Sequence, residues 1–322
     1  MKKPVIILTG PTAVGKTDLS IELALSVRGE IISADSMQVY RHMDIGSAKI
    51  RPEEMRGVRH HLIDCYEPWE EFHVVEFQRA AKSAMEEIWT RGNIPVIAGG
   101  TGFYIQALIK DIDFTETGGN PSYRKELERL AEEKGAEFLH DELVRVDPVA
   151  ATEIHAHNVK RTIRALEYFH YTGEPISVHN EREKKRESPY HFVYFVLNRE
   201  RSELYQRIDQ RVDQMMASGL LEEVQRLKEM GCTRSMVSMQ GLGYKELLEH
   251  LDGEISLPEA VEKIKRDTRH FAKRQITWFK REQDVIWLNR QEYENEEALL
   301  KAILQICRNR GILIDETNGC RD

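Results

Sequence analysis

Apolar residues near the start of the chain come in short runs separated by stretches with helical spacing. Val5 to Leu8 is a continuous apolar run of strand length, and Asp18-Leu-Ser-Ile-Glu-Leu-Ala-Leu after it has the spacing of a helix. Glu30 to Ala34 predicts a second strand. Val75 to Trp89 carries Val75, Ala80, Ala84, Ile88 and Trp89 on a helical repeat that stops at Gly92-Asn93. Ile94 to Ala98 predicts a third buried strand, and Gly99-Gly-Thr-Gly102 turns into an apolar helix from Phe103. This alternation predicts an α/β fold, a parallel sheet covered by helices, with ligands gathering at the carboxyl ends of the strands.

The pattern changes between Asp113 and Pro121, where Thr117-Gly-Gly-Asn-Pro121 is a linker signal. From Ser122 the spacing predicts helices over Tyr123 to Glu133, Ala136 to Leu143 and Asn158 to Tyr171, closed by the charged stretch Asn180 to Ser188. His191 to Leu197 then predicts a buried strand returning to the sheet. Long helices follow Asn198, and Val285 to Asn289 predicts a last short strand. The expected layout is a first part of the α/β core over 1–115, an α-helical insertion over 116–188, and a return to the core with a helical C-terminal region over 189–322.

Size and charge narrow the classes. At 322 residues the chain has room for one large α/β domain and a smaller one. A formal net charge of −8 argues against a general polyanion binder, so any nucleic acid must be met by a local basic surface. Cys65, Cys232, Cys307 and Cys320 are scattered without C-x-x-C spacing, which favours reduced thiols over a zinc site or a disulfide framework. The apolar run after Lys2 and Lys3 is too short for a signal peptide, and no run approaches transmembrane length. A cytoplasmic protein with no membrane attachment is expected, as a monomer.

Gly10, Pro11, Thr12, Ala13, Val14, Gly15, Lys16 and Thr17 fit the phosphate-loop pattern G-x-x-x-x-G-K-[ST], between the predicted first strand and first helix. The glycines let several N–H groups face one anion, and the helix N-terminus adds its positive dipole end. Lys16 supplies an ammonium to the terminal phosphate, and the Thr17 hydroxyl is placed to bind Mg²⁺. The motif is shared with ATP-binding proteins and reads phosphate, not what is attached to it. Nucleotide hydrolases, small-molecule kinases and transferases that release diphosphate all remain open.

Asp35 follows the second strand, where a carboxylate can serve as a general base, a magnesium ligand or a helix cap. Gln38 can pair with an adenine edge, although surface glutamines are common. Gly99 to Gly102 can meet a phosphate or a base, or be a plain turn. His60-His61 invites a metal reading, but adjacent side chains on an extended segment point to opposite faces. Between Pro258 and Glu282, Ile264, Phe271 and Trp278 recur at seven-residue spacing as an apolar stripe. Arg266, Arg269, Lys273 and Lys280 lie within roughly 60° of one another, about opposite that stripe. Glu262 is the main acidic interruption of this basic face. Lys160, Arg161 and Arg164 form a second basic cluster and Arg207 with Arg211 a third, a pattern suited to structured RNA.

Together these residues resemble the bacterial tRNA dimethylallyltransferases, also called tRNA isopentenyltransferases. The matching segments are 10–17, Ser-Ala-Asp-Ser-Met-Gln-Val-Tyr at 33–40, His-His-Leu-Ile-Asp at 60–64 and Ala-Gly-Gly-Thr-Gly-Phe-Tyr at 98–104. Asn-Val-Lys-Arg at 158–161, Arg-Val-Asp-Gln-Met at 211–215, Gln-Gly-Leu-Gly-Tyr-Lys at 240–245 and Arg-His-Phe-Ala-Lys-Arg-Gln-Ile-Thr-Trp-Phe at 269–279 complete the set. The resemblance runs in order along nearly the whole chain and implies a P-loop NTPase-like parallel sheet.

It also implies a reaction: a dimethylallyl group passes from dimethylallyl diphosphate to N6 of the adenine 3′ of the tRNA anticodon, and diphosphate leaves. By resemblance Asp35 is the base, Thr101 holds the amine and Arg211 serves the diphosphate side. Asp35, Ser36, Met37, Gln38, Thr101, Tyr123, Val159, Lys160, Arg161, Thr162 and Ile163 match tRNA-contacting positions. Gln240, Gly241, Leu242, Gly243, Tyr244 and Lys245 match another such segment. The insertion is expected to close over the anticodon stem-loop, and Arg266, Arg269 and Lys273 to meet RNA phosphates. Rival readings are a small-molecule kinase, a nucleic-acid-dependent NTPase, a non-catalytic RNA-binding protein and a transferase acting on free AMP.

Overall fold

A computed structural model describes residues 2–114 and 121–313. Thr117 to Asn120 of the linker signal, and Cys320, lie outside the described residues. Six strands, Pro4–Thr9 (β1), Gly29–Ala34 (β2), His60–His61 (β3), Ile94–Gly99 (β4), His191–Asn198 (β5) and Val285–Asn289 (β6), form one parallel sheet in the order β3-β2-β4-β1-β5-β6. The order of the central strands places the N-terminal β1 between β4 and β5. Thr9 stands opposite Gly99 on one side and Val196 on the other, so β1 and β4 end at one level and β5 runs two residues further, to Asn198.

The continuous apolar run of β1 reflects burial on both faces. Val5 and Ile7 pack into a core with Phe77 and Ala81 of helix Val74–Thr90 (α2) and Ile105 of helix Gly102–Ile109 (α3). Ile6 and Leu8 face the other way, toward Leu19 and Leu23 of helix Lys16–Ser26 (α1). The elements between Asp113 and Ser188 are helices Pro121–Lys134 (α4), Ala136–Val146 (α5), Pro148–Glu153 (α6), Val159–Thr172 (α7) and Ile176–Lys184 (α8). The C-terminal helices are Arg201–Ala217 (α9), Leu220–Glu229 (α10), Tyr244–Leu251 (α11), Leu257–Phe279 (α12) and Glu296–Asn309 (α13).

The chain divides into two compact units, residues 1–109 with 189–322, and residues 110–188. The expected boundary at 115/116 therefore moves to 109/110, because the Asp113 N–H already donates to Glu183 Oε2 of α8 at 3.0 Å. The helical unit has its own core of Leu127, Leu139, Leu143, Ile163 and Leu166. Arg124 makes a bidentate pair with buried Glu167, at 3.0 and 2.6 Å. Helices α6 and α8 have no counterpart in the expected elements. The first is a single short helix whose start is set by Asp147, which accepts the Ala150 N–H at 2.9 Å. The second runs into the charged stretch and keeps Glu183 and His179 buried.

Cys65, Cys232 and Cys307 are free thiols. Among the described residues no helix is long and apolar enough to cross a membrane.

Candidate active site

The phosphate loop is shaped by left-handed backbone at Ala13 and Gly15, with φ of 61° and 93°. Gly10 passes so close to β5 that a Cβ there would lie 2.5 Å from the Leu197 carbonyl oxygen, which excludes any side chain. Gly15 caps α1 without a side-chain acceptor, so the first-turn N–H groups face the site. Lys16 Nζ lies over the loop and donates to the carbonyls of Gly10 at 3.0 Å and Pro11 at 2.8 Å. Burial pulls its pKa down to about 7, Arg211 adds like-charge repulsion, and Asp35 works in the opposite direction.

Asp35 leaves the end of β2 and Thr101 the end of β4. These two strand ends approach closely because residue 99 is glycine; a Cβ there would sit 2.2 Å from the Ala34 carbonyl oxygen. The Thr101 N–H donates to that same carbonyl at 3.1 Å. Asp35 Oδ1 accepts the Met37 N–H at 2.9 Å, a local turn bond that fixes the carboxylate's direction. Arg211 comes from α9, and burial lowers its pKa against the pull of Asp35.

Two cavities open at this end of the sheet. The first, about 390 Å³, is lined by Lys16 and Thr17 of the phosphate loop together with Asp18, Gln38, His60 and Arg207. The second, about 420 Å³, is lined by Ser36, Met37, Thr101 and the segment Gln240 to Lys245, with Phe72, Tyr104 and Met215 as apolar wall. Asp35, Arg211, Thr12, Phe271 and Gln275 line both. The sequence-predicted catalytic residues thus meet where a phosphate pocket adjoins a less polar one. Phe271, expected in a packing stripe, is a cavity wall.

Thr17, Asp18 and Asp35 give the first cavity the hard oxygen donors that suit Mg²⁺. No group of three or more His, Cys, Asp or Glu that could cage a metal occurs among the described residues. A magnesium ion here would be held by Thr17 and by phosphate oxygens of the ligand. His60 Nδ1 bonds the Val58 carbonyl at 2.9 Å, and His61 Nε2 bonds Glu30 at 2.8 Å, so the pair is divided between two structural roles.

Some of the expected contact residues that line these cavities also hold the surrounding scaffold. Tyr244 is buried and donates to Glu223 Oε1 at 2.7 Å; a Cβ on Gly46 would strike its ring at 2.5 Å. Burial and Glu223 keep its phenol far above the usual range. Glu223 also accepts the N–H groups of Asp44, Ile45 and Gly46 at 2.9, 2.8 and 3.1 Å, and so anchors the loop that borders the site. Gln38 Oε1 accepts from Ser33 Oγ at 3.0 Å, which turns that amide into the protein. Gln240 is exposed and donates to the Arg234 carbonyl.

Within the helical unit, Asn158 caps α7. Lys160 and Arg161 are exposed, Val159 is half-buried, but Thr162 and Ile163 are core side chains with no surface to offer. Tyr123 is half-buried and stacks on His170, ring centroids 3.9 Å apart at 17°.

The expectation that Glu262 is the main acidic interruption of the basic face of α12 is also corrected. Arg269 pairs with Asp209 of α9 and Arg266 with Asp267, whereas Lys273 is exposed and has no ion-pair partner among the described residues. Asp209 lies 60 residues earlier in the chain, so wheel geometry alone could not reveal it.

Gln275 is the site residue that sequence reasoning missed. Its Oε1 accepts the Thr12 N–H at 2.9 Å and its Nε2 donates to the Gly100 carbonyl at 2.9 Å. A signal existed: on the helical wheel Gln275 falls within about 20° of Ile264, inside the apolar stripe. A glutamine in such a stripe must be paired by buried polar groups.

A profile of the family described as IPP transferase matches residues 38–282. The chain is 62% identical over 311 residues to a tRNA dimethylallyltransferase of Lachnoclostridium phytofermentans, covering 97% of this chain and 99% of that one. It is 48% identical to a protein of the same name from Acetivibrio thermocellus, with 96% and 99% covered. The crystal structure of the full-length tRNA isopentenylpyrophosphate transferase from Bacillus halodurans superposes with a TM-score of 0.73 at 42% identity, covering 97% of both chains. A eukaryotic dimethylallyltransferase structure, from crystallographic snapshots of that enzyme acting on tRNA, gives a TM-score of 0.83 at 30% identity, covering 98% of this chain and 81% of the other. With a phosphate loop, Asp35, Thr101 and Arg211 around two adjoining cavities and these relatives along nearly its whole length, the chain belongs to the IPP transferase family.

Proposed function

We propose that this enzyme transfers a dimethylallyl group from dimethylallyl diphosphate to the exocyclic N6 of the adenine immediately 3′ of the anticodon in tRNA, releasing diphosphate. The observation that carries the reading is the shared wall of the two cavities. The phosphate loop holds the leaving group in one, an adenine enters the other, and Asp35 and Arg211 stand where they meet.

The adenine amine is a weak nucleophile, because its lone pair is delocalised into the ring. As N6 forms its bond to C1 of the prenyl group, the C1–O bond breaks and its electron pair leaves on the diphosphate. Asp35 accepts the N6 proton, and the Thr101 hydroxyl orients the amine. Charge growing on the diphosphate is met by loop N–H groups, Lys16 and Arg211. Bound Mg²⁺ would supply further neutralisation of the phosphate oxygens.

A base stacked in an anticodon loop must be turned out to reach such a cavity. Exposed Lys160 and Arg161, together with Lys273, give RNA phosphates cations to meet. A small-molecule kinase would use residues 10–17, and the second cavity for its acceptor, but leaves exposed Lys160, Arg161 and Lys273 without a purpose. A transferase for free AMP would share the core and gain little from Lys160 and Arg161.

The test is to incubate the protein with Mg²⁺, dimethylallyl diphosphate and unmodified tRNA, with AMP and ATP also supplied, then digest the RNA, weigh the nucleosides and assay the free nucleotides. An isopentenyl mass on one adenosine beside the anticodon is expected. Prenylated AMP with unmodified tRNA, or ATP consumed with no prenylated product, would overturn the reading.

A further inference from the structure

The carbonyls of the phosphate loop are held by arginines distant in the chain. When the N–H groups of such a loop face an anion, its carbonyls face away, and each buried carbonyl needs a donor. Ala13 O accepts from Arg207 Nε at 3.0 Å, Val14 O from Arg199 Nε at 3.2 Å, and Gly15 O from Arg290 Nη1 at 3.2 Å. Arg199 follows β5, Arg207 lies on α9 and Arg290 follows β6, so three separate segments converge on three consecutive carbonyls.

The bracket is tightly built. The side chains of Arg199 and Arg290 are only 15% and 8% exposed, and a Cβ on Gly15 would come within 3.1 Å of Arg290 Nη1. Ala13 and Gly15, at the two ends of the held segment, are the left-handed residues whose conformation turns the intervening N–H groups inward. Arg199 pairs with Glu203 and Arg290 with Glu296, which steadies the guanidinium planes. Burial, with Arg199 and Arg207 nearby, pulls the Arg290 pKa down to about 10. Three like charges are gathered here at an electrostatic cost, one that an anion in the phosphate cavity would relieve.

We propose that Arg199 and Arg290 are positioning residues for the donor's diphosphate: they fix the outward carbonyls of Val14 and Gly15, hold the N–H groups inward and add positive potential behind the loop, while Arg207, which holds the Ala13 carbonyl, also lines the phosphate cavity. The assignment rests on the reading that the loop takes a diphosphate. It explains why a motif complete within residues 10–17 needs segments near residues 200 and 290 to work.

The test uses the full chain with Arg290→Gln and Arg290→Lys. Inorganic diphosphate with Mg²⁺ is titrated by calorimetry at two salt concentrations, beside tRNA affinity, melting temperature and transfer kinetics. Arg290→Gln is expected to weaken diphosphate binding and raise the KM for dimethylallyl diphosphate by about tenfold, with a shallower salt dependence and unchanged tRNA affinity. Arg290→Lys should recover much of the loss.

Diphosphate affinity within about twofold of the parent in Arg290→Gln would overturn the proposal. So would parallel losses of diphosphate affinity, tRNA affinity and melting temperature in both variants, which mark a structural strut. Should Arg290→Gln not fold, Arg199→Gln carries the same expectations. The diphosphate titration stands apart from the transfer assay, so a parent that binds diphosphate but transfers no prenyl group would refute the donor and leave this inference standing.

Discussion

Gln275 donates its amide to the carbonyl of Gly100 at 2.9 Å, in a fit so close that a Cβ on residue 100 would lie 2.3 Å from Nε2. The other end of the amide takes the Thr12 N–H, so one side chain ties the phosphate loop to the turn that carries Thr101. Gln275→Ala removes two buried hydrogen bonds, each contributing about 0.5–1.5 kcal/mol. A modest fall in melting temperature is expected, and a fall in turnover of about 10- to 100-fold from misplacement of the reacting groups. Gly100→Ala should do the same from the opposite side, and the double variant should lose less than both singles combined. Steady-state kinetics on the three variants decides it; additive losses would mean that the two positions act independently.

Local signals made the phosphate loop, β1, β4 and the glycine turn before Thr101 legible, because each depends on residues within a few positions of one another. Gln275 was visible only as a polar residue in an apolar stripe, with no indication of what it bonds. Glu223 offered no signal at all. Its four acceptor bonds reach Asp44, Ile45, Gly46 and Tyr244, and three of those partners lie more than 170 residues away. The pairing of Arg269 with Asp209 was hidden for the same reason, since a helical wheel knows only its own helix, whereas Asp267 beside Arg266 lies within α12. Thr162 and Ile163 were carried over as part of a segment, but α7 turns them into its core while Lys160 and Arg161 face solvent.

Lys16 sets a pH dependence. Its pKa of about 7 lies below the ordinary 10.5, so the fold disfavours the ammonium and the free protein carries the full penalty below about 7, a cost that lifts between about 7 and 10.5. A bound diphosphate favours the ammonium and raises that pKa. Donor binding above pH 7 should therefore take up a proton, approaching one per site near about pH 8, and affinity should weaken as pH rises. Calorimetry in two buffers of different ionisation heat measures the uptake, and Lys16→Arg should abolish it. Equal uptake in parent and variant would assign the proton to another group.

Asp35→Asn keeps the size of the side chain and an oxygen for the Met37 N–H while removing the base. Turnover is expected to fall by about 10²- to 10⁴-fold, with tRNA affinity retained. Single-turnover transfer and filter binding separate the two. A parallel loss of affinity would make Asp35 a binding residue.

Lys273 and Arg269 share a helix face but should behave differently. Lys273→Ala is expected to weaken tRNA binding and reduce the slope of log affinity against log salt by about 1, as one phosphate contact is lost. Arg269 is already paired with Asp209, so Arg269→Ala should lower thermal stability and leave the slope nearly unchanged. Binding isotherms at several salt concentrations test the contrast. An unchanged slope for Lys273→Ala would remove that side chain from the RNA surface.

Glu30, at the start of β2, gives the fold an acid-sensitive anchor away from the chemistry. Burial works against its ionisation, but bonds at 2.8 Å from Arg91, His61 and Asn93 outweigh it and hold the carboxyl at about 2, against an ordinary 4.5. A depressed carboxyl pKa contributes stability that is complete above about 4.5 and is lost as pH falls toward 2, here on the order of 3 kcal/mol. Glu30→Gln should therefore be less stable than the parent at neutral pH, and the gap should close progressively below about pH 4.5. Urea unfolding of both proteins across that range isolates the effect, because every other titrating group is common to the pair. A gap that stays constant with pH would place the cost of the substitution in packing, not in the ionised carboxylate.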